Sequence, residues 1–428
     1  HCLRQYLVPS LFHIDLFNIP LPSGYQDVEK VYMEEGRHEI LALNAGAGLK
    51  VDPLQMAYAS MVSGGPPSKS FEMTRLLGLD VPSERSFYSA QRKVCEAIVD
   101  MAEDSMEEVR QNLPENTVVS IDGSWDHRRH GSNCVVSVID QGSGKVVDLS
   151  WVSRKVDQGA QNFCANSNMM ELNALKLSVE KLKGIPQITG YVHDNDARAS
   201  KLIEKEGWDI EEKLDPNHSL KCFERQLLAF RRDHGKILVD IEDSLRRWYC
   251  ALVKSELSPD EREEQWMNCV AHFRGDHSKC RHEEKQCQRW QYAGNPEQEA
   301  KLRKFLTNTV KFVRMVDREF STQLNESFNR EKSKWTPKEI CWGPSYHARV
   351  SLPVLQHNLG PSWPLPLGRD LGLPPLPPRN VRSYMCSEHE FDKDEMESHS
   401  RGDWWRNEEV PDDAQAWGYE GTPRQVEE

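Results

Sequence analysis

The nine residues TVVSIDGSW, Thr117–Trp125, decide how the rest of the chain is interpreted. Their apolar positions Val118, Val119 and Ile121 are β-branched, the residue type that favours strands. Asp122 follows directly. A carboxylate that ends a β-branched run is expected at the edge of a sheet instead of in its core. The stretch therefore predicts a buried strand that carries an acidic group to the rim of a sheet.

The segments after this strand predict a mixed sheet. A second and a third strand form a hairpin around a Gly/Ser turn, an amphipathic helix follows, and strands then alternate with helices. The order β-β-β-α-β-α-β predicts an α/β fold, with a mixed five-stranded sheet flanked by helices. The segments concerned are NCVVSVIDQGSGKVVDLSWVSRK (133–155), NMMELNALKLSVEKLKG (168–184), QITGYVHDND (187–196), ARASKLIEKEGW (197–208) and IEEKLDPNH (210–218).

Composition shifts divide the chain into five regions. The first is mostly helical, with DNA binding as its candidate role, and the second holds the strands. The third is a helical insertion that contains a Cys/His cluster and is expected to be irregular over 258–300. The fourth is again helical, and the last is Pro-rich, acidic and expected to be disordered. The boundaries are 1–115, 116–217, 218–300, 301–358 and 359–428.

The net charge of −13 is concentrated at the C-terminal end. From Ser387 to Glu428 there are 14 acidic and 4 basic residues, whereas His218 to Glu339 holds 24 Lys and Arg against 20 Asp and Glu. An acidic chain as a whole is therefore compatible with a nucleic-acid surface in its middle part.

Cysteine content and hydropathy indicate the kind of cellular compartment in which the chain folds. The 11 cysteines are odd in number and scattered, which argues against a disulfide framework and for a reducing compartment. No apolar run approaches the ~18 residues of a membrane span. The segment after His1 lacks the pattern of a signal peptide. The chain starts at His1 instead of Met, so both a complete chain and a fragment that lacks an N-terminal domain are considered.

Two further acids are candidates to join Asp122 in one cleft. Asp194 ends the fourth strand, and strands one and four can be neighbours in a mixed sheet. Glu326, in a late helical segment, is the best third candidate. Asp196 competes with Asp194, although it is placed to cap the following helix. Glu171 competes with Glu326, although a first-turn acid also favours the helix dipole.

Three carboxylates from remote positions suit a site with two divalent cations. Such ions, about 3.5–4 Å apart, activate an attacking water or hydroxyl and stabilise the leaving oxygen of a phosphodiester. Mg²⁺ prefers oxygen ligands of this kind. No nucleophilic Ser or Cys stands out.

A Cys/His cluster offers a second metal site. Groups of four thiolate and imidazole ligands are typical of zinc. The best set is His277, Cys280 and Cys287, with His218 or His272 as the fourth ligand. The alternative is a polar segment of unligated His and Cys, and His218 would then lie near the acids instead, where it could contact a phosphate.

Basic residues near the acids are candidate phosphate ligands. Arg128 and Arg129 follow the first acid in WDHRRHGSN, and a solvated turn is the alternative for them. Arg330, Lys332 and Lys334 follow Glu326 in FNREKSKW, on the same helical stretch, where they would meet a DNA backbone. In the tail, PPLPPR (Pro374–Arg379) fits a weak SH3-type polyproline ligand.

Six motifs in order resemble the transposases of eukaryotic Mutator-like and Kolobok-like elements, from about residue 70 to 358. The resemblance implies a ribonuclease-H-like core with a DDE triad, in which Asp122, Asp194 and Glu326 are the three acids. The motifs are SIDGSWDHRRHGSNCVVSVID (120–140), NSNMMELNAL (166–175), HDNDARASK (193–201), DPNHSLKCF (215–223), HFRGDHSKC (272–280) and STQLNESFNREKSKWTPKEICW (321–342).

The same resemblance implies a function. We expect a DDE-type DNA transposase, or a transposon-derived protein, that cleaves DNA and transfers strands by phosphoryl transfer with two Mg²⁺ or Mn²⁺ ions. It implies DNA as partner, a homo-oligomer on DNA, a nuclear location and a structural Zn²⁺ at the Cys/His cluster. The alternatives are a catalytically silent DNA- or chromatin-binding protein and a nuclease of the same fold.

Overall fold

A five-stranded mixed sheet forms the centre of the chain. The strands are β1 (Thr117–Trp125), β2 (Asn133–Asp140), β3 (Val146–Ser153), β4 (Ile188–His193) and β5 (Glu211–Leu214). The computed structural model describes residues 50–127, 131–154, 162–163, 166, 169–238, 242–280, 296–340 and 342–375, with the side chains of 235–238 excepted.

The strand order is β3-β2-β1-β4-β5. The first three strands pair antiparallel, whereas β1–β4 and β4–β5 are parallel. This is the ribonuclease-H-like arrangement, so the predicted fold class is confirmed. All eight residues of β2 are buried, because helices cover both faces of the sheet.

Helices on the two faces belong to different parts of the chain. One face packs against α4 (Met170–Leu182), and α5 (Ala197–Lys205) extends that layer. The other face packs against α3 (Glu84–Gln111) and α12 (Tyr346–Leu359), which meet each other. The segment before the sheet thus shares a core with the segment after it.

Two short helices precede α3. They are α1 (Pro53–Val62), whose first turn is capped by Asp52, and α2 (Pro67–Leu76). Arg349 of α12 holds the turn between them: its guanidinium is fully buried and donates to the carbonyl oxygens of Gly64 (3.4 Å) and Gly65 (2.9 Å). It also donates to the carbonyl oxygen of Trp335 (3.2 Å).

The insertion after β5 has a core of its own. It contains α6 (Pro216–Leu238), α7 (Glu242–Lys254), α8 (Pro259–Phe273), α9 (Pro296–Thr309) and α10 (Lys311–Arg314). Buried aromatic rings form its centre; Phe223, for example, stacks on Tyr249 with ring centroids 4.5 Å apart. The expectation of irregular structure from 258 onwards was wrong for α8. A capping box between Ser258 and Glu261, with Pro259 in the first turn, starts a regular helix there.

The chain beyond residue 358 packs further than the sequence predicts. Helix α11 (Gln323–Trp335) precedes α12, and α13 (Pro364–Asp370) follows it. Trp363 and Leu367 are buried, and the carbonyl oxygen of Pro364 accepts a hydrogen bond from the Tyr58 hydroxyl (2.6 Å). The prediction of disorder was therefore wrong for 359–375, because the tryptophan and leucines between the prolines join the core. Most of the polyproline motif, residues 376–379, lies outside the described residues.

Within the described residues, no helix combines the length and the hydrophobicity that crossing a bilayer requires.

Candidate active site

The expectation that Asp122 ends its strand was wrong, because β1 continues to Trp125 in its pairing with β2, whereas Asp194 directly follows β4. In the register of these neighbouring strands the two acids nevertheless occupy equivalent positions. In the parallel pair β1–β4, Ser120 lies opposite Val192. Asp122 comes two residues after Ser120, and Asp194 comes two residues after Val192. Parallel strands run about 4.8 Å apart, and positions two residues on share a face. The two carboxylates therefore belong to the same edge of the sheet, and the charge of Asp194 raises the pKa of Asp122.

Helix α11 crosses this edge and is anchored by one polar face. The side-chain amide of Asn325 donates to the carbonyl oxygen of Ser137 (2.9 Å), and that of Asn329 donates to Asp122 Oδ2 (2.8 Å). Spacings of three and four residues place such side chains on one face of a helix. Glu326 lies in the first turn of α11, beside this anchored face.

His218, at the start of α6, lies between the second and third acids. Its Nδ1 is 3.1 Å from Asp194 Oδ2, and its Nε2 is 3.5 Å from Glu326 Oε1. The hydrogen bond to Glu326 and the charge of Asp194 raise the pKa of His218. The structure thus places His218 with the acids, the second of its two predicted locations, and not with His272, His277 and Cys280.

Asp215 is a residue of this site that sequence reasoning missed. Its carboxylate is buried and accepts hydrogen bonds from the backbone N–H of His218 (2.7 Å) and of Thr322 (2.9 Å). The Thr322 hydroxyl donates to Asp194 Oδ1 (3.0 Å). One buried carboxylate therefore fixes both the start of α6 and the start of α11. The only sequence signal is an acid after a strand and before Pro216, which is typical of a helix start.

Replacing Asp215 by Ala is expected to lower DNA cleavage about 10- to 100-fold, the range seen when a residue that orients ligands is removed. It should also cost about 2 kcal/mol of stability, because two buried N–H groups lose their acceptor. Nicking rates and urea unfolding measure the two effects. Asp209→Ala, at an exposed position just before β5, is the matched control. Unchanged cleavage in Asp215→Ala would show that α11 is positioned without this carboxylate.

The carboxylates differ in exposure, since Asp122 and Asp194 are partly buried and Glu326 is exposed. Burial, followed by the charges of Asp194 and Glu171, raises the pKa of Asp122 to about 7. Burial also raises the pKa of Asp194. In contrast, the hydrogen bond from His218 lowers the pKa of Glu326. Mutual repulsion of this kind is relieved by a cation, and an all-oxygen donor set suits Mg²⁺ or Mn²⁺.

Glu171, the alternative third acid, lies on the other side of Asp122. It stands in the first turn of α4, and its side chain covers Gly123 so closely that a Cβ at that position would overlap it. Burial raises the pKa of Glu171. The structure thus brings Glu171 into the cleft from α4 and Glu326 from α11, on opposite sides of Asp122 and Asp194.

Asp196 serves the helix that follows it. Its carboxylate accepts from the backbone N–H of Arg198 (2.9 Å), the first turn of α5, and pairs with the guanidinium of Arg198 (2.8 Å). These contacts occupy it as a helix cap, whereas Asp194 faces His218 and Thr322.

The Cys/His cluster is partly assembled. Ligand atoms of His272, His277 and Cys280 lie within 4.8 Å of one another, and His272 Nδ1 is 3.2 Å from Cys280 Sγ. The group lies at the end of α8 and just beyond it. Cys287 lies outside the described residues. Three soft ligands this close suit Zn²⁺ with a fourth ligand from elsewhere.

The predicted phosphate ligands are placed differently from one another. Arg330 and Lys334 are exposed on α11, whereas Lys332 is 2% exposed and donates to the Ser124 hydroxyl (2.6 Å). Burial lowers the pKa of Lys332 to about 8. The assignment of Lys332 to the DNA surface is therefore corrected: it anchors α11 to β1. Arg128 and Arg129 lie outside the described residues.

The family model of Mutator-like transposases matches residues 53–287, more than half of the 428 residues. The chain belongs to the Mutator-like transposase family. It is a transposase or a transposon-derived protein. The match covers the helices before the sheet, all five strands and the first half of the insertion. No curated protein matches this transposase significantly. Glu326 lies beyond the matched residues, so its place beside the other acids is known from α11 alone.

Proposed function

We propose that this transposase cleaves DNA and transfers its strands by metal-dependent phosphoryl transfer, with Asp122, Asp194 and Glu326 as the acids that hold the metal ions. The observation that supports this most strongly is the register of β1 and β4, which brings Asp122 and Asp194 to one edge of the sheet. Glu326 is joined to them through His218, which contacts Asp194 and Glu326 at once.

The donor set supports divalent cations at this place. The raised pKa values of Asp122 and Asp194 reflect partial burial first and neighbouring negative charges second, and oxygen is the only donor type that the three acids offer. When two such ions are bound, they lower the pKa of the attacking water and stabilise the leaving oxygen.

The chain's own residues prepare this cleft. Asn329 donates to Asp122 Oδ2 and so orients this carboxylate from α11. His218 joins the second and third acids, because its Nδ1 faces Asp194 and its Nε2 faces Glu326. Thr322 fixes the second oxygen of Asp194.

The test is nicking of supercoiled plasmid by the purified chain in Mg²⁺ or Mn²⁺, with Asp122→Asn prepared in parallel. We expect nicking that requires the metal and that falls to background in the variant. Equal nicking by both proteins would contradict the assignment of Asp122. Absence of nicking by both, with DNA binding intact, would favour a silent DNA-binding protein instead.

Zinc at His272, His277 and Cys280 is part of the same proposal, supported by the closeness of their ligand atoms. A nuclear location is proposed because the substrate is DNA.

A further inference from the structure

A groove between α6 and α7 begins at the candidate active site. It has a volume of about 710 Å³, and His218 forms one end of it. Four basic residues line it: Lys221, Arg225 and Arg231 from α6 and Arg246 from α7. The groove therefore connects the carboxylate cleft with a run of positive charge on the insertion.

Two of the four cations are neutralised locally and two are not. Arg231 Nη1 is 3.5 Å from Glu242 Oε2, and Arg246 Nε is 3.4 Å from Glu224 Oε1. Lys221 and Arg225 are exposed, and within the described part of the chain neither lies within ion-pair distance of a carboxylate. Arg225 contacts the Lys221 carbonyl oxygen and Cys222 Sγ. The inner half of the groove thus keeps two free positive charges.

These charges reach the catalytic end. The charge of Lys221 lowers the pKa of both Glu326 and His218, and that of Arg330 also lowers the pKa of Glu326. Lys221 therefore lies close enough to act on the third acid and on the histidine that contacts it. A phosphate that is bound in this cleft would therefore find the nearest cations of the groove on this side.

We propose that the groove between α6 and α7 binds the phosphates of the DNA strand that continues from the carboxylate cleft, with Lys221 and Arg225 as its main ligands. The inference rests on the proposed function, since it continues the path of the same substrate. From His218 to Arg231, α6 is about 20 Å long at 1.5 Å per residue. With one phosphate per 3.4 Å of axis on each strand, this length spans about six nucleotides of duplex DNA.

An apolar side chain completes the surface. Leu228 is 62% exposed and lines the groove between Arg225 and Arg231. An exposed leucine between two arginines suits a polymer with charged phosphates and apolar sugar and base faces better than it suits a small inorganic anion.

The test is DNA binding by the full chain across a range of salt concentrations. A fluorescent 30-base-pair duplex is titrated with protein from 50 to 300 mM NaCl, with Ca²⁺ replacing Mg²⁺ so that no reaction is needed. The double variant Lys221→Ala/Arg225→Ala should reduce the slope of log K against log salt by about 2, since each lost phosphate contact is worth about 0.9. Affinity at 100 mM NaCl should fall at least about tenfold.

The matched control removes the same charge elsewhere. Lys145 lies in the turn between β2 and β3, and Lys183 follows α4; both are exposed and lie at the end of the sheet opposite to Asp122. Lys145→Ala/Lys183→Ala should keep the wild-type slope. Melting temperatures of both variants verify that the fold is retained.

The outcomes separate the two proposals. Equal slopes of log K against log salt for the two double variants would overturn the proposed role of the groove, whatever the nicking assay shows. A reduced slope for Lys221→Ala/Arg225→Ala alone supports the groove, and nicking that is insensitive to Asp122→Asn would then contradict only the carboxylate assignment. A wild-type chain that does not bind DNA would overturn both.

Discussion

Asp194→Asn is expected to lower metal-dependent nicking about 10³-fold or more, whereas Asp196→Asn should stay within about threefold of the wild type. Asp194 follows β4 directly. Its carboxylate accepts a hydrogen bond from the Thr322 hydroxyl and faces the His218 ring. Its amide would lose the negative charge that a cation needs and would turn an N–H₂ group towards one of those donors. The pair is measured in one nicking assay with Mg²⁺ or Mn²⁺.

Asp196→Asn is a matched control because it makes the same chemical change two residues away. Asn is as good a helix cap as Asp, and the ion pair with Arg198 is largely exposed, so its loss costs little. Loss of nicking in Asp196→Asn with retention in Asp194→Asn would exchange the two assignments. Equal loss in both would show that the loop after β4, and not one carboxylate, is what matters.

Arg349→Met is expected to destabilise the chain by about 3 kcal/mol, because three carbonyl oxygens around it lose their donor at roughly 1 kcal/mol or more each. The fully buried guanidinium donates to three carbonyl oxygens and stacks on Trp342, 3.9 Å from its ring centroid. Methionine fills part of the volume but leaves those carbonyls without their donor. Urea unfolding followed by tryptophan fluorescence measures the loss.

The control for this prediction is Arg369→Met, in the last turn of α13, where the side chain is exposed. Its free energy of unfolding should change by less than about 0.5 kcal/mol. A similar small change in Arg349→Met would mean that α1 and α2 are held to α12 by apolar packing alone.

The sheet could be predicted from the sequence because its information is local. The first four strands are short runs rich in β-branched residues; Asp122 lies within the first of them, and Asp194 directly follows the fourth. The strand order then brings Asp122 and Asp194 together without any knowledge of side-chain contacts. Glu326 was reached in the same way, as an acid in a helical segment.

The supporting residues could not be predicted because their partners are remote. Asp215 acts on Thr322, 107 residues away, and only the folded chain reveals that contact. The sequence predicts Lys332 to be a surface cation, because it lies in a basic stretch between Arg330 and Lys334. In the structure, the rotation of α11 about its axis turns Lys332 towards the core, whereas Arg330 and Lys334 face solvent. The sequence alone does not indicate this rotation, because basic residues lie on both faces of the helix.

The insertion begins and ends at one place on the core. The backbone N–H of Leu214, the last residue of β5, donates to the carbonyl oxygen of Met315 (2.9 Å), and Lys213 Nζ lies 3.1 Å from Asp317 Oδ2. Closing a segment between two fixed ends becomes only slowly more costly as the segment lengthens. Residues 216–315 therefore form a module that is closed at its base, and a change in its length beyond the first turn, which carries His218, would leave β1, β4 and α11 in place.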